Sequence, residues 1–319
     1  MQQRPLGRSG LTVSRLALGT MTWGQDTDPD DAGAQLKSFV DAGGTLVDTA
    51  DVYADGEAEA VLGTLLDAMV PRDEVLIVGK AGVRAHGPRR RDSSRGHLLR
   101  SLDVTLRRLG TDYLDLWQLH GGDPATPIDE TLAAVDYAVS SGRVRYAGVA
   151  NYAGWQLARA ATWQQAWPQR APIVASGFEY SLLERGPERE MLPACEALDV
   201  GVLPWSPLGR GVLTGKYRNG RPPGSRAASA QFESFVLAYL DPRCSAIVEA
   251  VVTAAAGLGV SAVQVALAWV RDRPGVTAPV LGARTNEQLA QALRAEDIEL
   301  PEQIVRALDD VSGGPEVPA

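Results

Sequence analysis

At 319 residues and 45% apolar content, the chain is long enough to bury a large core as one domain or two. A net charge of −8 argues against a nucleic-acid footprint, and no apolar run approaches the roughly 18 residues a membrane helix needs. Two cysteines, Cys195 and Cys244, give no disulfide framework, and Met1–Pro5 lacks the apolar core of a secretory signal, so a cytoplasmic protein is expected.

The chain opens with Leu6 to Ser14, where Gly and Ser separate two short apolar pieces and predict a β-hairpin. Leu16 to Met21 reads as a first buried strand ending near Gly19. Asp28, Pro29, Asp30 and Asp31 mark a helix start, and Gly43-Gly44 its stop. The alternation then repeats: strand 45–47, helix 57–68, strand 75–78, helix 94–109, strand 114–119. Leu98, Leu99, Leu102, Leu106 and Leu109 stripe the third helix, with Arg95, Arg100, Arg107 and Arg108 read as its solvated face. Thr126-Pro127-Ile128-Asp129 opens the next helix in the style of a capping box. Strands at 144–149, 173–174 and 200–203 alternate with helices at 155–167 and 188–198. Residues 205–242 then break the rhythm: rich in Gly and Pro with five basic residues between 210 and 226, they are too long for an ordinary connection. Helices at 243–257 and 261–272, a strand at 280–281 and helices at 286–295 and 302–311 complete the chain. Eight strand–helix units without a composition break predict one (β/α)8 TIM barrel spanning 1–319. It carries an N-terminal hairpin, a long loop after strand seven and extra C-terminal helices.

Four polar residues finish three consecutive strand–loop units on one rim: Asp48, Tyr53, Lys80 and His120. In a parallel sheet the C-terminal strand ends face a common cleft. A phenol with a pKa near 10 is a poor acid at neutral pH, and a neighbouring ammonium favours its ionised form. A carboxylate keeps the lysine charged, and an imidazole can orient a substrate oxygen or share the proton. Tyrosine then serves as general acid toward a carbonyl, and since no side chain supplies hydride, a nicotinamide cofactor is implied. Taken singly, each residue has a blander reading: Asp as a turn former, Tyr as a wall, His as a structural group. The joint pattern is what points to chemistry.

On these motifs the chain resembles the aldo-keto reductases, in the branch that includes potassium-channel β-subunits and related bacterial reductases. The resemblance covers Leu6 to Gly24, Asp48 to Tyr53, Gly79-Lys80, Ser101 to His120, Gly142 to Asn151, Glu179 to Leu182, Trp205 to Tyr217 and Gly282 to Leu289. It implies Tyr53 as general acid, Lys80 as the partner lowering its pKa, Asp48 as the carboxylate pairing that lysine and His120 as the substrate-orienting imidazole. It implies NADPH as cofactor, a small carbonyl compound as substrate, and no metal. Gly19, Thr20, Met21 and Asn151 match its nicotinamide side, and Trp205 the stacking aromatic. Ser206, Leu208, Gly209, Arg210, Lys216 and Arg226 match the loop around the pyrophosphate; Arg284 and Gln288 match residues around the adenosine and its 2′-phosphate. Gln288 has a second reading, as the cap of its own helix through Thr285-Asn286-Glu287-Gln288. Three departures from the family pattern stand out. Ala150 replaces a Ser or Thr and Gly177 a Gln, both of which normally hydrogen-bond the nicotinamide carboxamide; Ala292 replaces an adenine-binding Asn. Two other functions fit the resemblance: a cofactor-binding regulatory subunit of the channel type, and a sugar- or natural-product-modifying enzyme on the same fold. Trp23, Trp117 and Trp155 are candidate pocket walls or core, and the oligomeric state is left open.

Overall fold

A computed structural model describes residues 1–229 and 233–313. Strands β1 (Gln3–Pro5) and β2 (Thr12–Ser14) pair antiparallel. The hairpin thus forms one step earlier than expected. Leu6 and Leu11 close its loop, with the Leu6 amide donating to the Leu11 carbonyl at 2.8 Å, and Leu6 plugs the N-terminal end of the barrel.

Eight parallel strands follow: β3 (Ala17–Gly19), β4 (Leu46–Asp48), β5 (Leu76–Ala81), β6 (Leu114–Leu119), β7 (Val144–Ala150), β8 (Ile173–Glu179), β9 (Gly201–Trp205) and β10 (Val280–Gly282). They pair in chain order, and β10 returns to lie beside β3. Bonds from the Thr277 and Ala278 amides to the Val202 carbonyl bring β9 against the approach to β10 and close the ring. Helices α1 (Pro29–Asp41), α2 (Glu57–Leu65), α3 (Arg95–Leu109), α4 (Ile128–Ser140), α5 (Gly154–Gln165) and α6 (Met191–Ala197) alternate with the strands. The long loop holds α7 (Glu233–Leu237). It is followed by α8 (Pro242–Leu258) and α9 (Ala262–Arg271), and after β10 come α10 (Asn286–Leu293) and α11 (Glu302–Ser312). This is the expected (β/α)8 barrel.

Local chemistry sets the helix ends. Asp28 caps α1 by accepting from the Asp31 amide at 2.9 Å, with Pro29 in the first turn. Ser261 and Gln264 form a reciprocal capping box at α9. The expected box at Thr126 does not form: Pro127 occupies the cap position, and the Thr126 hydroxyl donates to Asp123 at 2.7 Å instead. Two helices are shorter than expected. α2 stops at Leu65, where Asp67 turns the chain at φ 60, and α6 starts at Met191 after a separate 3-10 turn at Gly186–Glu188. Arg108 is not on a solvated face. Its guanidinium bonds buried Glu59 at 3.0 Å and the carbonyls of Asp51 and Asp55.

Two apolar layers hold the barrel. Ala17, Leu46, Val78, Leu116 and Leu203 fill its interior, while Leu18, Val47, Ile77, Trp117 and Val202 pack outward on the helices. Successive strand residues therefore point alternately in and out. Among the described residues no single helix is long and apolar enough to cross a membrane; α8 and α9 pass that test only together, across a 102° bend.

Candidate active site

That alternation places the site. Two residues beyond each interior apolar residue the next inward position is polar or small on four strands and aromatic on the fifth: Ala17 leads to Gly19, Leu46 to Asp48, Val78 to Lys80, Leu116 to Gln118, and Leu203 to Trp205. These positions line a cavity of about 590 Å³ at the C-terminal mouth of the barrel, with Tyr53, His120, Asn151 and the long loop completing its wall. The volume suits a cofactor and a small substrate.

At its base Lys80 Nζ lies 2.6 Å from Asp48 Oδ1, donates to the Thr49 carbonyl at 2.9 Å and reaches the Tyr53 hydroxyl at 3.4 Å. Tyr53 is delivered by a tight turn after β4 in which Ala54 and Asp55 hold left-handed backbone, at φ 48 and 54. The Arg108 guanidinium braces this turn from outside by donating to the Asp55 carbonyl at 3.2 Å. The Tyr53 and His120 rings meet edge to face at 6.1 Å.

Burial dominates the electrostatics. It works against the Lys80 charge, but the attraction of Asp48 and then Tyr53 outweighs it, so the ammonium is held above its ordinary pKa. Burial lifts Asp48 as well, and Lys80 pulls it partway back. Burial, aided by Asp48, lifts the Tyr53 phenol above its ordinary value of 10.0, although Lys80 pulls it down in the expected sense. His120 is driven down to about 3 by burial and by the charges of Lys80 and Arg91, so its imidazole is neutral; its Nδ1 is buried without a hydrogen-bond partner among the described residues.

Beside this group, Trp205 is fixed by its indole N–H, which donates to Asn151 Oδ1 at 2.9 Å, while Asn151 Nδ2 donates to the His120 carbonyl at 3.3 Å. Gly19, Met21, Ala150, Gly177 and Gln118 share this floor. Gln118 is absent from the sequence expectations. Its position two residues before His120, on the same side of β6, was the available signal. Thr20 is fully buried outside the lining and bonds the Asp48 carbonyl at 3.1 Å. None of Trp23, Trp117 and Trp155 lines the cavity: the first two are core, and Trp155 is exposed on α5.

The far end is cationic. Lys216, Arg226 and Arg284 line it together, and none has an ion-pair partner among the described residues. Burial and then the two arginines push Lys216 down to about 8, although its side chain stays open to the cleft. Ser206, Leu208 and Gln288 also line this stretch. The Gln288 side chain accepts from the Arg284 amide at 3.1 Å, and its own amide donates to the capping Thr285 hydroxyl. It therefore braces the start of α10 while facing the cavity. Arg210 lines the cavity, but its guanidinium fork is taken by Glu179 at 2.8 and 2.6 Å and stacks on Phe235. Gly209 lies behind the wall, packed against Leu183.

Residues 15–312 match the family model described as Aldo/keto reductase family. The chain is 37% identical to the uncharacterized oxidoreductase YrpG of Bacillus subtilis (strain 168), over 99% of this chain and 97% of that protein. It is 34% identical to a probable voltage-gated potassium channel subunit beta of Oryza sativa subsp. japonica, over 93% and 92%. It is 32% identical to an aldo-keto reductase of Fusarium vanettenii, over 97% and 90%. A barrel with this cleft at its mouth, matched along nearly its whole length, is an oxidoreductase fold of known lineage: the chain belongs to the aldo/keto reductase family.

Proposed function

We propose that the protein, acting as one domain over residues 1–319, reduces an aldehyde or ketone to the alcohol with NADPH, using Tyr53, Lys80, Asp48 and His120. The observation that carries this reading is the Lys80 ammonium, held between the Asp48 carboxylate at 2.6 Å and the Tyr53 hydroxyl oxygen at 3.4 Å at the base of the cleft.

The residues present fit the cofactor. One end of the cleft offers a flat indole beside the acid–base group, and the other offers three cations with no ion pair among the described residues. Clustered cations in a partly buried cleft repel one another, and a pyrophosphate and 2′-phosphate relieve that cost. Arg284 supplies a guanidinium fork suited to the 2′-phosphate, with Lys216 and Arg226 toward the pyrophosphate. Ser206, Leu208 and Arg210 contribute through the backbone of the turn, since the Arg210 side chain is committed to Glu179, and Gly209 packs behind them on Leu183. When bound, the dihydronicotinamide supplies the hydride that no side chain carries.

Because Lys80 donates to the Tyr53 oxygen, the phenolic hydrogen is free to point at a substrate oxygen. As that oxygen gains negative charge, the Tyr53 proton moves to it, and the phenolate left behind faces the Lys80 ammonium. The raised pKa of Tyr53 keeps the phenol protonated before the transfer. Neutral His120 orients the same oxygen through a hydrogen bond without competing as an acid.

The relatives named as channel subunits support a second reading, a cofactor-binding regulatory subunit. The acid–base group favours catalysis. Loss of reduced-cofactor absorbance with a panel of aldehydes, ketones and sugars tests it: steady turnover on carbonyls is expected, and no turnover on any of them overturns the reading.

A further inference from the structure

The floor of the cleft beside Trp205 has an unusual composition. Two of its backbone positions, Ala150 and Gly177, present no polar side chain. Asn151 is already engaged on both ends of its amide, with the Trp205 indole and the His120 carbonyl. Gln118 is different: it is 1% exposed, lines the cavity, and its Nε2 is buried without a hydrogen-bond partner among the described residues. A buried amide N–H left unpaired is unfavourable, and an acceptor on a ligand in the cavity would satisfy it.

Two glycines clear its path. Gly148 faces Gln118 across β6 and β7, and a Cβ there would lie 3.2 Å from Gln118 Cγ and 2.7 Å from the Ala175 carbonyl. A Cβ at Gly177 would lie 3.5 Å from Gln118 Oε1 and 3.6 Å from Nε2. The stem of Gln118 thus passes over Gly148, and its amide rests on the bare backbone of Gly177. A side chain rooted on β6 places its amide in the space that a side chain on β8 would otherwise fill.

We propose that Gln118 is the cofactor-positioning residue that holds the nicotinamide carboxamide. The assignment rests on the cofactor reading above. A primary carboxamide needs one donor and one acceptor in a fixed plane, and the Gln118 amide offers both, a half-turn exchanging them. It is the register partner of Lys80 on the neighbouring strand, so a carboxamide held there would share the floor of the cleft with the Lys80–Tyr53 pair. Relative to a side chain at 177, the holding group comes from the strand that also carries His120, so ring position and substrate orientation share one support.

The test is equilibrium titration of folded wild type, Gln118→Met and Gln118→Ala with NADP+ and with 2′,5′-ADP, which keeps the adenosine phosphates and lacks the nicotinamide. Gln118→Met, similar in length and without hydrogen bonds, is expected to weaken NADP+ about tenfold, equivalent to about 1.4 kcal/mol. Affinity for 2′,5′-ADP should stay within about twofold. The transposed variant, Gln118→Ala with Gly177→Gln, should regain most of the NADP+ affinity that Gln118→Ala loses, because Gly177 has ordinary backbone and room for a Cβ. Unchanged NADP+ affinity in Gln118→Met, equal loss for both ligands, or a folded transposed variant with no recovery would each overturn the assignment. Wild type binding 2′,5′-ADP as tightly as NADP+ would overturn it while sparing the phosphate end; wild type binding neither would remove the cofactor reading itself.

Discussion

The Asp48 carboxylate and the Lys80 ammonium meet at 2.6 Å with 8% and 6% of their side chains exposed, so neither charge is stable in this site without the other. Removing one partner of such a buried pair typically costs about 3–5 kcal/mol, because the remaining charge is left unpaired. Lys80→Met is therefore expected to lose activity and also to unfold at lower temperature. Lys80→Met combined with Asp48→Asn should recover stability without recovering turnover. Raising the pH should not rescue Lys80→Met, since reduction needs the acid form of Tyr53. Thermal unfolding and the pH–rate profile check both arms; a single variant with the wild-type profile would contradict the role given to Lys80.

Tyr53→Phe removes only a hydroxyl oxygen that accepts from Lys80. Turnover should fall by the roughly 10²–10⁴-fold that a general acid contributes, with NADPH affinity within about twofold of wild type. A variant retaining more than about a tenth of wild-type kcat would show that the proton comes from elsewhere.

The barrel was legible because its strands are short apolar runs cut off by Gly or polar residues, and the meeting of Asp48, Tyr53, Lys80 and His120 because they stand at or just after those cuts. What the sequence hid were choices between competing partners. Thr126 and Pro127 look like a helix start, yet Asp123 takes the Thr126 hydroxyl. Arg108 reads as one arginine among several on α3, and only the fold reveals buried Glu59 behind it. Arg210 looks like a phosphate ligand until Glu179, distant in sequence, occupies its fork. Gln118 was passed over because its significance depends on glycines from two other strands. The pKa of Tyr53 follows the same logic: its neighbours were readable, but how deeply the site excludes water was not.

Asp51 gives a stability prediction. Its carboxyl is raised to about 7, chiefly by burial and by the charge of Glu59, and its Oδ1 has no hydrogen-bond partner among the described residues. Between the unfolded value of about 3.9 and about 7 the native state binds a proton that the unfolded chain has released. Stability from this group therefore falls as pH rises across that window and stays low above it. Asp51→Asn should raise the melting temperature at about pH 8, with the gain shrinking toward pH 4. Melting curves across that range decide it, and a gain independent of pH would contradict a buried, ionising Asp51.

Cofactor choice should depend on Arg284. The 2′-phosphate brings about two negative charges, and a guanidinium fork can pair with them bidentately. Wild type is expected to prefer NADPH to NADH, by a margin that narrows in Arg284→Ala and at high salt. Titration of both cofactors against both proteins measures this, and equal affinities in wild type would exclude 2′-phosphate recognition.

Lys216 should make cofactor binding depend on pH in one direction. Burial and two neighbouring arginines lower its pKa to about 8, so the free protein carries its charge at neutral pH and loses it above. A bound phosphate favours the ammonium, so binding above pH 8 must draw a proton onto Lys216, while below about pH 7 it is already there. NADP+ affinity should therefore be flat at lower pH and decline above about 8, by at most tenfold per pH unit. Lys216→Met should bind more weakly at neutral pH and lose the decline. Calorimetric titration in buffers of different ionisation enthalpy would count the proton directly: uptake near pH 8.5 is expected in wild type and none in Lys216→Met. Wild-type affinity that stays level from about pH 7 to 9.5 would separate Lys216 from the phosphates.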